Sequence, residues 1–141
     1  MKRLTLAAAL AALCAPAFGA PAVADYAFVA PPQINVNRLY RIDTRTGEVT
    51  ACEFALTPGK PTLAPGAFGV TVCARAGEGA TAGPIGHYGL VASHHEQEAG
   101  VFRVDYVTGA VSNCYVYSKM DKQGDHQVIV DRYVVCTPMT K

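Results

Sequence analysis

The chain has 141 residues, half of them hydrophobic, with 12 lysines and arginines against 11 aspartates and glutamates and a formal net charge of +1. The basic residues are scattered rather than massed in a run, so the electrostatic footprint of a nucleic-acid binder is absent. From Asp25 onward no apolar stretch approaches the roughly 20 residues of a membrane-spanning helix, and no strongly basic amphipathic segment suits a membrane surface.

Residues 1–24 read as a secretory signal peptide. Lys2 and Arg3 form the positive start, residues 4–13 an apolar run too short to span a bilayer, and Ala22-Val23-Ala24 a cleavage site before Asp25. Cys14 is preceded by Leu13, where a lipoprotein signal needs a small residue. Cleavage near Ala24 predicts a periplasmic or secreted chain that loses two basic residues and no acid, so its net charge becomes −1.

Residues 25–73 then read as a first β repeat. A short apolar strand, Tyr26-Ala27-Phe28-Val29-Ala30, ends at Pro31-Pro32, which cannot continue a ladder. A second strand over residues 39–43 leads into the turn Asp43-Thr44-Arg45-Thr46-Gly47. Asp43 can accept the turn's own amides, and Gly47 can supply the left-handed conformation that closes it. That register sets Ile42 opposite Val49 and Tyr40 opposite Ala51, and it predicts one apolar face formed by these four residues. Arg41 and Asp43 share the other face; a surface ion pair with a turn-capping aspartate is the preferred reading, and a site the alternative. Residues 55–69, with Pro58-Gly59, Pro61 and Pro65-Gly66, predict a long irregular excursion before a strand over 68–73.

Residues 74–86 form a Gly/Ala-rich linker, read as flexible, with no phosphate-binding glycine motif. The second β repeat, residues 87–141, differs mainly in its loops. Ser93-His94-His95-Glu96-Gln97-Glu98 is the only cluster with metal-ligand side chains. Adjacent histidines project differently and no H-x-x-x-H spacing occurs, so His94, His95, Glu96 and Glu98 are weak metal candidates and a solvated loop is the default. Residues 119–126, charged and containing Gly124, predict an exposed connection ahead of a last strand over 127–136.

The two repeats are visible as self-similarity at a fixed offset. Tyr40-Arg41-Ile42-Asp43 through Gly47 to Cys52 returns 62 positions later as Phe102-Arg103-Val104-Asp105 through Gly109 to Cys114. The apolar face of the first hairpin is therefore matched by Phe102, Val104 and Val111, and Arg103 and Asp105 repeat the polar pair. Of five cysteines, Cys52, Cys73, Cys114 and Cys136 remain after cleavage; an even number in an exported chain reads as two disulfides. The repeat favours Cys52–Cys73 with Cys114–Cys136, each closing a loop worth about 3 kcal/mol. Cys52–Cys114 with Cys73–Cys136 is the alternative.

The pattern aromatic-Arg-aliphatic-Asp-x-x-Thr-Gly-x-Val resembles the strand–turn–strand element of β-propeller blades, quinoprotein-like and Kelch-like ones among them, and hairpins in small uncharacterised exported bacterial proteins. The resemblance implies a four-stranded, blade-like unit and no ligand, cofactor or catalytic residue. Two units cannot close an ordinary propeller.

These readings predict an all-β, disulfide-stapled domain of two tandem four-stranded antiparallel units, packed face to face as a pseudo-two-fold sandwich. They predict a non-catalytic exported binding or interaction protein, envelope-associated or inhibitor-like, with no cofactor, whose partner is a protein or an envelope component. The alternatives are a metal-binding protein using His94 and His95, and a small exported hydrolase, for which no G-x-S-x-G nucleophile motif exists. Seven tyrosines, at 26, 40, 88, 106, 115, 117 and 133, divide between packing and a binding face.

Overall fold

Asp43 closes the first hairpin through its own side chain. In the computed structural model, which describes residues 25–56 and 69–141, Asp43 Oδ1 accepts the amides of Arg45 (2.8 Å) and Thr46 (2.9 Å), and Gly47 turns the chain at φ 71°. The flanking strands are β2 (Arg38–Asp43) and β3 (Val49–Leu56), with Ile42 opposite Val49 and Tyr40 opposite Ala51. Asp105 and Gly109 (φ 73°) repeat the device between β6 (Val101–Asp105) and β7 (Val111–Gln123). The expected signal peptide with its cleavage site at Ala24 and residues 57–68 of the excursion expected over 55–69 lie outside the described residues, while Ala55, Leu56 and Gly69 are strand residues rather than irregular ones.

The remaining strands are β1 (Tyr26–Val29), β4 (Gly69–Ala76), β5 (Tyr88–Val91) and β8 (His126–Cys136). All eight join one sheet in the order β1-β2-β3-β4-β8-β7-β6-β5, curled into a nearly closed barrel with β1 and β5 at the seam. The expected sandwich of two facing sheets is therefore not built. Within each half, consecutive strands pair antiparallel; between halves, β4 and β8 pair in parallel, Arg75 with Tyr133 and Ala76 with Val134.

This junction decides which side chains face inward. Setting β8 beside β4 in the same direction reverses the strand order of the second half while keeping its strand directions. A rigid sheet so placed has exchanged its front and back. Tyr40, Ile42, Val49 and Ala51 accordingly line the core, at 2% exposure or less. Their counterparts do not: Phe102 (39%) and Val111 (38%) face solvent and Val104 is half-buried. Val101, Arg103, Ser112 and Cys114, on the opposite face of β6 and β7, fill the interior instead, beside Ala74, Val134 and Tyr88.

The segment after β4 does not hang free as a flexible linker. The Gly77 amide bonds to the Val134 carbonyl (2.7 Å) and the Cys136 amide to the Glu78 carbonyl (2.9 Å). Gly79, at φ 70°, passes so close to the Cys136 carbonyl that a β-carbon would lie 2.1 Å from its oxygen; glycine here permits contact rather than flexibility. Beyond it the chain runs along the first hairpin turn. Four successive turn carbonyls accept from later residues: Thr44 from the Tyr88 amide, Arg45 from the Gly86 amide, Thr46 from the Gly83 amide and Gly47 from the Arg103 guanidinium.

Residues 119–126, expected as a loop, are mostly strand. Pairing continues to Gln123 opposite His126, and Gly124 (φ 63°) occupies the first position of a two-residue turn, as a type II′ hairpin requires. Charged residues exposed on both faces carry no alternation for a pattern argument to detect. Between Lys119 and Met120 the register slips, leaving Val130 as the extra residue of a bulge in β8.

The disulfides are Cys52–Cys73 and Cys114–Cys136, each joining directly opposed residues of adjacent strands. Because the halves present opposite faces inward, Cys73 is exposed and Cys52 half-buried, whereas Cys114 is fully enclosed and Cys136 is 8% exposed. A thiol reductant needs access to a sulfur. Mild reduction of the folded protein followed by alkylation and peptide mass spectrometry should therefore label Cys52 and Cys73 first, and Cys114 and Cys136 only on unfolding. Equal labelling rates would contradict the inverted faces.

Candidate functional site

The residues singled out from sequence are not drawn into one site. His94, His95, Glu96 and Glu98 lie between β5 and β6, where the two histidines and Glu96 are exposed. Glu98 turns back to accept the Gly100 amide through Oε1 at 2.9 Å. Among the described residues no group of three or more histidines, cysteines or carboxylates is placed to hold a metal ion. His87 packs its ring on Tyr106 at 5.1 Å, and His126 stands at the tip of the β7–β8 hairpin.

Neither Arg41 with Asp43 nor Arg103 with Asp105 appears among the described ion pairs, so the expected same-face pairs are replaced by other contacts. Arg41 donates from Nε to the Thr50 hydroxyl (3.1 Å) and lies over the Tyr26 ring at 5.0 Å. Arg103, turned inward, donates from Nε to the Ser112 hydroxyl (3.1 Å) and from Nη1 to the Gly47 carbonyl (3.1 Å). Burial lowers its pKa, because an enclosed guanidinium gives up hydration that neutral oxygens only partly replace. Tyr40 is equally interior; its hydroxyl donates to the Ala99 carbonyl at 2.8 Å, and desolvation raises its pKa.

Two surface features do gather side chains. The first is the outer face of β7 and β8, where Tyr115 pairs with Val135 and Tyr117 with Tyr133. Tyr115 and Tyr117 are more than 40% exposed. The Tyr117 and Tyr133 rings are 5.4 Å apart, and the Arg75 guanidinium covers Tyr133 at 5.3 Å while pairing with Asp131 at 2.8 Å. A shallow groove of about 630 Å³ runs along this face, bordered by Glu78, Thr137 and Pro138. These tyrosines were legible as candidates from sequence; their common outward face was not.

The second is the mouth of the barrel away from the first hairpin turn. Below Arg75 and Tyr133, β4 and β8 part and open a cleft of about 420 Å³. Two residues before Tyr40, the inward face of β2 ends in Arg38; two after Ala51, that of β3 ends in Glu53. Arg38 Nη2 donates to Glu53 Oε2 at 3.0 Å, and Arg132 Nη1 donates to the other carboxylate oxygen. Val72, Val116, Ile129 and Val130 line the walls, the bulge at Val130 turning two consecutive apolar side chains toward the cleft. Sequence carried no signal for this trio, since Arg38 and Arg132 lie 15 and 79 positions from Glu53 and only the β4–β8 junction brings the second one in.

Comparison of the chain with known protein families, curated proteins and solved structures gave no match.

Asp43 and Asp105 are both held below the usual carboxylate range. Backbone amides of Thr46 and Arg45 lower Asp43, and the Thr108 hydroxyl, followed by the amides of residues 107 and 108, lowers Asp105. Groups with depressed folded-state pKa values stabilise the fold fully above the unfolded value of about 3.9, and that stability is lost as pH falls through the folded values. Asparagine keeps the oxygen that accepts the turn amides, gives up the Asp105 oxygen that accepts the Thr108 hydroxyl, and removes the titration. Asp43→Asn with Asp105→Asn should therefore lower the thermal midpoint at pH 7 and flatten its decline below pH 4, the gap to the unaltered protein closing as pH falls. An unaltered acid limb would show that these carboxylates do not carry it.

Proposed function

We propose that this chain is an exported, non-catalytic interaction protein built from two tandem copies of one four-stranded unit, and that it engages a protein partner of the cell envelope through the outer face of β7 and β8. The repeat supports the first part: the same aspartate-capped hairpin, the same Arg-to-hydroxyl bond (Arg41 to Thr50, Arg103 to Ser112) and the same cross-strand disulfide recur. Two disulfides suit an oxidising compartment outside the cytoplasm.

The observation that carries the binding reading is the tyrosine face itself. The inverted second copy turns outward the side that the first copy buries, leaving Tyr115, Tyr117 and partly buried Tyr133 side by side with Val135. Tyrosine offers a large apolar body with a polar tip and few rotatable bonds, which suits protein interfaces. The rim is polar and carries both signs of charge, Arg75 and Lys119 with Glu78 and Asp131, as the border of a protein interface does.

Anchoring aromatics at an interface contribute about 2 kcal/mol or more each when truncated. Tyr117→Ala with Tyr133→Ala should weaken binding of the purified protein to envelope fractions from its own cells by more than about tenfold. Protease treatment of those fractions should abolish the binding. Undiminished binding by the double variant, or binding that survives proteolysis, would refute the assignment. Self-association of the pure protein, measured by sedimentation, would assign the face to a second copy instead.

A further inference from the structure

We infer that the barrel mouth is a binding site for a small carboxylic acid with an apolar tail, the carboxylate held by Arg132, which frees Glu53 for Arg38, and the tail laid against Val72, Val116, Ile129 and Val130. Charge is the first ground. Two arginines and two carboxylates line the cleft, and Asp131 is taken up by Arg75 from outside it. That leaves one carboxylate, Glu53, shared between Arg38 and Arg132, and one positive charge in excess.

Hydrogen bonding gives the second. The Arg38 side chain is only 15% exposed, and its Nε is fully enclosed without a partner among the described residues. Nε and Nη2 lie along one edge of the guanidinium, the fork that a carboxylate fills with both oxygens. Glu53 fills only the Nη2 half, its second oxygen being drawn to Arg132. A buried donor left unmade is costly, and a second carboxylate would allow each arginine its own anion. The Arg132 side chain is 40% exposed, so an anion can reach it from solvent.

Shape and lining give the third. The cleft, about 420 Å³, falls within the range of small-molecule sites, about 300–1,000 Å³, and barrel mouths are a favoured place for them. Val72, Ile129 and Val130 are each more than 40% exposed although they are aliphatic and sit together. An aliphatic chain would cover them, whereas a small polar anion would not.

The probe is octanoate, with octanol as the same tail without charge and acetate as the charge without a tail. Binding is read on the disulfide-bonded mature protein from the methyl NMR signals of Val72, Val116, Ile129 and Val130. Octanoate should shift these signals saturably, with octanol and acetate at least about tenfold weaker, because a site that pairs a charged group rejects an analogue lacking it. Arg132→Met should reduce octanoate affinity at least tenfold and leave octanol unchanged. Glu53→Gln, which removes the competing internal carboxylate, should raise octanoate affinity several-fold. Equal binding of octanoate and octanol, or methyl signals that octanoate leaves unmoved, would overturn the inference without recourse to any variant.

Discussion

The parallel pairing of Ala76 with Val134 is the contact on which the rest of the molecule depends. Were the halves joined antiparallel, equivalent residues could share one face, and two apolar faces could be buried together as a sandwich. Joined in parallel through their last strands, the halves must be turned over relative to each other. Tyr40 enters the core and Phe102 leaves it; Arg41 meets solvent and Arg103 is enclosed; one disulfide is accessible and the other is interior. The outward tyrosines of β7 and β8 follow from the same operation. So does the mouth where Arg132 reaches Glu53, since those two residues belong to different halves and meet only because β8 lies beside β4.

Enclosing Arg103 carries an energetic demand that the fold meets with oxygen atoms rather than with an acid. Among the described residues Arg103 forms no ion pair; a serine hydroxyl and a turn carbonyl accept its hydrogen bonds. The carbonyls of Thr44, Arg45, Thr46 and Gly47 accept from the connecting segment and the second half, so partial negative charge is concentrated where the guanidinium arrives. Dipoles held in fixed orientation stabilise a charge without the reorganisation that water undergoes. A methionine at this position would lose both bonds, and a lysine would bring one nitrogen where the guanidinium reaches two oxygens with two.

Local features were legible in the chain and long-range ones were not. The Asp43 turn, the pairing of Ile42 with Val49 and the two disulfides follow from turn chemistry, period-two alternation and spacing, all of which act within about 20 residues. The burial of Arg103 and the exposure of Phe102 could not be read locally, because hairpin alternation says that two faces differ and not which one the rest of the protein will cover. β7 and β8 beyond Lys119 were missed for another reason: a ribbon wet on both faces has no apolar period, and only its pairing register marks it as strand. The trio of Arg38, Glu53 and Arg132 had no sequence signature at all, being a product of topology.

The row of turn carbonyls also implies an order of assembly. The first hairpin is closed by contacts a few residues apart, and such hairpins form in about 1–10 μs, before distant strands can meet. Once formed, it presents four acceptors in a line to a partner that has yet to arrive. Residues 83–88 and then Arg103 can dock on that line in chain order. The turn thus acts as a template for the later half. Because synthesis delivers the N-terminal half first, the chain meets this template in the sequence in which it is needed.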